Sequence, residues 1–289
     1  MEAIIKICLF TILLLPVLSV TVFGQCSDAG VCQVGHLLND GEESDFSFSF
    51  SYKNGYSGKD DDVTFHSFQL NPQYELFSGS ELALLIPYNF LSGPGGKVNG
   101  LGDLILSWSQ ELFSDEVSSL NASLGLKLAT GDENKNPNLP QIYQPGLGSN
   151  DLIFTIDYNY NEFSVGAGYQ LAGGRNDKEG VKLKRGDDLL VRTSYIFSFD
   201  DFIVTPQLLL IKRLSKSSIL DLNSNVENYV EIDKSDQLQL NLLAQLQYPV
   251  NERYSILAEA AVPFLKREVN IDGLTRAYSF SIGLRFIFN

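Results

Sequence analysis

Between Gln237 and Val250 polar and apolar residues alternate: Gln237, Gln239, Asn241, Gln245 and Gln247 on one beat, Leu238, Leu240, Leu242, Ala244, Leu246 and Tyr248 on the other. Side chains of a strand point alternately to its two faces, so this stretch reads as a strand with an amide face and a hydrocarbon face. The same alternation recurs at 45–52, 80–90, 120–128, 152–160, 163–171, 254–264 and 278–288, and more weakly at 64–76, 103–112, 189–199 and 202–211. Twelve strands are predicted in all.

The connections between them alternate as well. "NGYSGKDDD", "LSGPGGKVNGLG", "ATGDENKNPNLPQIYQPGLGSN", "AGGRNDKEGVKLKRGDD", "KRLSKSSILDLNSNVENYVEIDKSD" and "KREVNIDGLTRA" are long; "SGS", "SDE", "NE", "DD" and "NER" are short. If each strand runs antiparallel to its neighbours, every long loop lies at one end and every tight turn at the other. That asymmetry belongs to outer-membrane barrels, with short periplasmic turns and long external loops. A soluble β-sandwich also alternates, but it explains neither strands of about ten residues, the length that crosses a bilayer at a tilt, nor the placing of aromatic residues. Phe46, Trp108, Tyr158, Tyr160, Phe163, Tyr248, Tyr254, Phe286 and Phe288 fall near the short-turn end, and Tyr52, Tyr88, Phe90, Tyr169, Phe264 and Tyr278 near the other, giving two girdles. The fold class expected is therefore an all-β, antiparallel, transmembrane outer-membrane β-barrel over residues 44–289.

The N-terminus fits an exported chain. Lys6, an apolar run from Ile7 to Val22 and a small residue, Gly24, read as a signal peptide over 1–24, cleaved before Gln25. Pro16 and the lack of a charged flank argue against a membrane anchor. Residues 25–43 form a periplasmic segment, in which an oxidising compartment would join Cys26 to Cys32. Cys26, Asp28, Cys32 and His36 could instead ligate a metal, but their spacing matches no established zinc pattern, so neither metal nor cofactor is expected. With 35 acidic against 21 basic residues the net charge of -14 argues against nucleic acid as a partner.

Inside such a barrel most inward positions are small or neutral polar, Ser49, Ser123, Thr155, Gly166 and Gln245 among them. Twelve strands permit a narrow or plugged pore. Against that wall the inward charges Glu75, Glu81, Glu111, Lys127, Asp157, Arg192, Glu259 and Arg285 stand out, either pairing with one another or selecting solutes. Lys127, Asp157, Arg192, Glu259 and Arg285 are the candidate pore-lining residues, with Arg192, Glu259 and Arg285 expected at mid-strand. Leu243, Leu257 and Ile196 add apolar inward positions.

Three segments carry a resemblance: Gly100, Gly102 and Asp103 opening a strand; Gly125, Lys127, Thr130, Gly131 and Asp132 ending one; and Gly146, Gly148 and Asp151 resuming. Over residues 99–171 the chain resembles the outer-membrane channel family associated with the MetA pathway of phenol degradation, related to the long-chain fatty-acid transporter barrels. It departs in having Ala129 where that family usually has proline. The resemblance implies a channel for small hydrophobic or aromatic solutes. Glycine at a strand end also permits bulges and positive φ, so these motifs equally serve loop geometry.

The last strand, with Phe280, Ile282, Leu284, Phe286 and Phe288 on one face, resembles the closing strand of outer-membrane barrels. Expected partners are therefore outer-membrane lipids and lipopolysaccharide, small solutes, and the barrel-assembly machinery through that strand. Two other readings compete with a channel: a structural or adhesive barrel with a closed lumen, and an outer-membrane phospholipase using His66 on the lipid-facing wall. The second needs a serine within reach of His66, and Ser47, Ser49 and Ser51 are expected to point inward.

Overall fold

The computed structural model describes residue 34 and residues 45–273 and 276–288. The signal peptide, Cys26, Asp28, Cys32 and His36 lie outside the described residues. Sixteen strands form: β1 (Phe46–Tyr56), β2 (Thr64–Phe77), β3 (Ser80–Gly93), β4 (Gly96–Leu101), β5 (Leu104–Ser114), β6 (Ser118–Leu128), β7 (Asp151–Tyr160), β8 (Phe163–Leu171), β9 (Asp188–Tyr195), β10 (Phe197–Ser198), β11 (Ile203–Arg213), β12 (Ser218–Leu220), β13 (Tyr229–Glu231), β14 (Leu238–Asn251), β15 (Tyr254–Leu265) and β16 (Tyr278–Phe288). β4, β10, β12 and β13 are short additions; the other strands make a closed 12-stranded antiparallel barrel. β1 closes it against β16, in unbroken register from Phe46 opposite Phe288 to Tyr56 opposite Tyr278.

The alternation runs along the wall strands and is broken at bulges near the tight turns, where Leu76 and Phe77, and Leu112 and Phe113, are exposed in succession. On β14, Gln239 and Asn241 are fully buried toward the interior while Leu246 and Tyr248 are exposed outward. Phe154, Ile156, Phe280, Ile282 and Leu284 are likewise exposed on the outer face. An apolar belt of this kind would be untenable in water and is satisfied by lipid. Rim tyrosines tie the belt to the loops: the Tyr56 hydroxyl donates to Asp62 (2.8 Å) and that of Tyr169 to Asp187 (2.6 Å).

Tight turns occupy the end carrying the barrel seam Phe46–Phe288. Their chemistry is local: Asp115 accepts from the amides of Val117 and Ser118, and Asn251 from those of Arg253 and Tyr254. Three differences from the expected elements occur: the strand expected over 189–199 breaks at Ile196 into β9 and β10, and two short hairpins form in long loops. Pro94-Gly95 turns the chain so that β4 extends β3 as a hairpin, from Gly93 opposite Gly96 to Tyr88 opposite Leu101. β12 and β13 pair as a small hairpin within 214–237. The long loop 129–150 does not stand off the barrel; it folds inward, with Gln141, Ile142 and Tyr143 buried in a 3₁₀ turn.

Candidate functional site

The lumen is built in three levels. Nearest the tight turns it is polar. A cavity of about 180 Å³ is lined by Ser49, Ser51, Asn71, Thr205, Gln245, Glu259 and Ser281, with Leu257 and Ile203 beside them. Glu259 accepts a hydrogen bond from the Gln245 amide (3.1 Å). Arg285 lies two residues from the centre of β16, opposite Ser255 and Ser49, with Nη2 3.5 Å from the Ser47 hydroxyl.

At mid-height the character changes. Ile105, Ile153, Leu190, Leu209, Ile211, Leu243 and Ala261 point inward from six different strands and form one apolar cluster with Leu147 of the folded loop and with Val34. Of the segment 25–43, expected on the periplasmic side, only Val34 is among the described residues, and it sits inside the barrel, wholly buried. It occupies space that Gly125 leaves: a Cβ on that glycine would lie 2.6 Å from Val34 Cγ2. Arg192 fastens this contact, giving Nη1 to the Val34 carbonyl (3.0 Å) and its Nε (2.7 Å) and Nη2 to the Asp157 carboxylate. Val34 and Leu147 thus narrow the lumen within an apolar collar.

Above the collar lies a buried ionic network. Lys127 reaches Asp151 (2.9 Å) and Asp103 (3.6 Å), and Asp151 also meets Arg185 (3.2 Å). Arg213 is held by Asp188 (3.1 Å) and by Asp272 (2.8 Å), all three at most 1% exposed. These pairs bind loops to wall. Asp103 accepts from the amides of Gly131 (3.1 Å) and Leu147 (2.9 Å), drawing loop 129–150 over the lumen. Asp272 draws in loop 266–277 in the same way. Burial raises the Asp103 carboxyl above its ordinary value, only partly offset by Lys127. Burial also opposes ionisation of Asp272, but Arg213, Arg267 and Arg185 overcome it and hold that carboxyl well below the usual range.

Between loop 129–150 and the wall a second cavity of about 70 Å³ opens, with apolar faces from Phe65, Leu91, Ile105 and Ile142 and charged ones from Lys127, Asp103, Asp272 and Arg276. The glycines that prompted the family resemblance make this level possible. Gly131 and Gly146 touch backbone to backbone, and a Cβ on Gly146 would stand 2.5 Å from Gly131. A Cβ on Gly102 would stand 2.6 Å from the Asn89 amide.

Of the expected pore-lining residues, Lys127, Asp157 and Arg192 are taken up in ion pairs, and Glu259 faces the lower cavity. Most of the apolar collar was not singled out from sequence. Its signal is present nonetheless: "LIL" (104–106), "LIF" (152–154), "LLV" (189–191) and "LLLI" (208–211) are apolar on both faces, which a strand facing water on one side and lipid on the other would not be. His66 meets the Tyr52 hydroxyl (2.5 Å) on the outer wall, while Ser47 and Ser67 are buried on the inner one. The hydroxyl beside His66 is thus a phenol, and the arrangement is not that of a serine hydrolase.

No protein-family model matches the chain, and no curated protein does. Its fold does have solved counterparts. An outer membrane channel from Pseudomonas putida F1 superimposes with a TM-score of 0.60 at 14% identity, over 86% of this chain and 98% of that one. The NanC porin gives 0.49 at 11% identity, over 84% and 100%.

Proposed function

We propose that the protein is an outer-membrane channel for small solutes, hydrophobic or aromatic ones included. The observation that carries this reading is the varied lining of the lumen: a polar cavity, an apolar collar, and an amphipathic cavity against the folded loop 129–150. A hydrophobic constriction impedes ions and water more than apolar solutes, since it offers no replacement for their hydration. Glu259, Arg192 and Arg285, with Lys127 and Asp157, line this route at successive heights. The lipid-facing belt and the aromatic closing strand support placement in a bacterial outer membrane, among lipids and lipopolysaccharide, after delivery by the barrel-assembly machinery. The likeness to the Pseudomonas channel agrees with this reading.

Single-channel recording in planar bilayers tests it. The mature chain is expected to conduct weakly, and a chain lacking residues 25–44 to conduct more, because Val34 no longer fills the collar. Silence from both chains would favour a structural or adhesive barrel.

A further inference from the structure

We propose that the outer face of β1–β4, at the end of the long loops, holds one phosphorylated glycolipid of the outer leaflet, with its phosphate on Lys97 and Asn99, its sugar on Phe90 and His66, and its acyl chains on the hydrocarbon below. The inference rests on placement in the outer membrane and not on conduction.

The pairing register sets out this surface row by row. Outermost stand Tyr56, Thr64, Ser92 and Lys97, opposed across four strands; next come Asn54, His66, Phe90 and Asn99; then Tyr52, Phe68, Tyr88 and Leu101; then Phe50, Leu70 and Ile86. Polarity thus falls in steps, from a cation and hydroxyls, through amides and an imidazole beside a ring, to hydrocarbon. Elsewhere the outer face stays apolar to the same end: Leu126 and Leu128 on β6, Phe154 on β7, Leu171 on β8, and Leu189 and Val191 on β9 are exposed there. A polar side chain facing lipid is costly unless it meets headgroups, so the face of β1–β4 calls for a polar partner that its neighbours do not need.

The groups left open on this face are donors. Asn54 Nδ2 gives one hydrogen bond to the Phe65 carbonyl (3.2 Å), which fixes the amide, and a second to His66 Nδ1 (3.3 Å). An amide nitrogen only donates, so Nδ1 accepts, from the Tyr52 hydroxyl (2.5 Å) as well, and the ring proton sits on Nε2. That N–H has no acceptor among the described residues. Asn99 spends its carbonyl oxygen on the Tyr88 hydroxyl (3.1 Å), leaving its two amide hydrogens, and Lys97 is exposed with no ion pair among the described residues. The Asp62 carboxylate, beside the outermost row, is taken by the Tyr56 hydroxyl (2.8 Å). With strands about 4.8 Å apart and rows about 7 Å apart, the three donors lie within roughly 12 Å of one another, the reach of a phosphorylated sugar. A phospholipid phosphate could occupy Lys97 and Asn99 but would leave His66 and Phe90 uncovered.

The mature chain, refolded from inclusion bodies and so free of bacterial lipid, is titrated in micelles with three probes: diphosphoryl lipid A, the same glycolipid with its phosphates removed, and phosphatidylglycerol. Native mass spectrometry counts the lipid bound, and EDTA keeps Asp60 and Asp61 of the neighbouring loop from bridging phosphate through a divalent cation. Lipid A is expected to bind one per barrel, at least tenfold tighter than either other probe. Lys97→Met combined with Asn99→Leu should abolish the preference for phosphate. His66→Phe should weaken lipid A at least threefold and leave phosphatidylglycerol unchanged. These replacements put apolar groups on a lipid-facing wall, so folding should survive, and the heat-dependent gel shift of the barrel checks it. Lys212→Met, on the outward face of β11, should change nothing. Equal affinity for lipid A and phosphatidylglycerol, or unaltered lipid A binding in the Lys97→Met, Asn99→Leu variant, would overturn the proposal. Conductance plays no part in this readout, so a silent channel leaves the site standing and absent lipid A binding leaves the channel standing.

Discussion

Replacing Arg213 by methionine should detach loop 266–277 from the barrel. The guanidinium is 1% exposed and serves two carboxylates, Asp188 and Asp272, both with side chains wholly buried. Breaking a buried ion pair from one side typically costs about 3–5 kcal/mol, mostly because the abandoned charge stays dehydrated. Arg185, 3.8 Å from Asp188, would recover part of this, so about 3 kcal/mol is the appropriate figure. The loop relieves the penalty by opening and hydrating Asp272, while the wall strand keeps Asp188. An opening equilibrium shifted by about 3 kcal/mol corresponds to roughly a hundredfold. Tryptic cleavage after Lys266, Arg267 and Arg276, in outer-membrane vesicles, reports that opening when closing outpaces cleavage. The control is the double variant Arg213→Met, Asp272→Asn, which removes one cation with one anion and leaves Asp188 beside Arg185 (3.8 Å), so most of the protection should return. A cleavage rate in Arg213→Met within threefold of the parent, or a double variant as labile as the single one, would refute the latch.

Further outcomes follow from the same geometry. Gly146→Ala forces a Cβ to 2.5 Å from the Gly131 backbone and should free loop 129–150 at a cost of about 1–3 kcal/mol, read as faster proteolysis within 132–145 and higher conductance. Glu259→Gln removes a carboxylate from the lower cavity and should move the reversal potential in a salt gradient toward anions; an unchanged potential would place Glu259 off the permeation path. The stabilising effect of the Asp272 carboxylate is present above its ordinary value of 3.8 and is lost as pH falls through its depressed folded value. Peptic cleavage near Asp272, normalised to an unfolded peptide, should therefore stay low at pH 4 and rise at pH 2.

What the sequence by itself determined is the wall. Alternation has a period of two and depends only on neighbouring residues, so it sets which side chains face lipid, and β16 runs over 278–288 as the alternation required. Loop lengths settle which end carries the tight turns, because antiparallel neighbours allow only one arrangement. Parity separates inside from outside, and on that ground Gln239, Arg192 and Glu259 were legible as inward residues. It says nothing about height along the axis or about what fills the interior. Lys127 and Asp151 are opposed across one ladder and could be paired from register. Arg213 and Asp188 are opposed across one ladder in the same way, but Asp272 reaches Arg213 only because the loop that carries it folds back over the barrel. Val34 and Leu147, likewise, reach Ile153 and Leu209 across the lumen. Such contacts depend on barrel closure and on where long loops come to rest, and only the tertiary structure decided them: long loops have no periodicity from which a path could be read, and closure brings together residues that no local pattern relates.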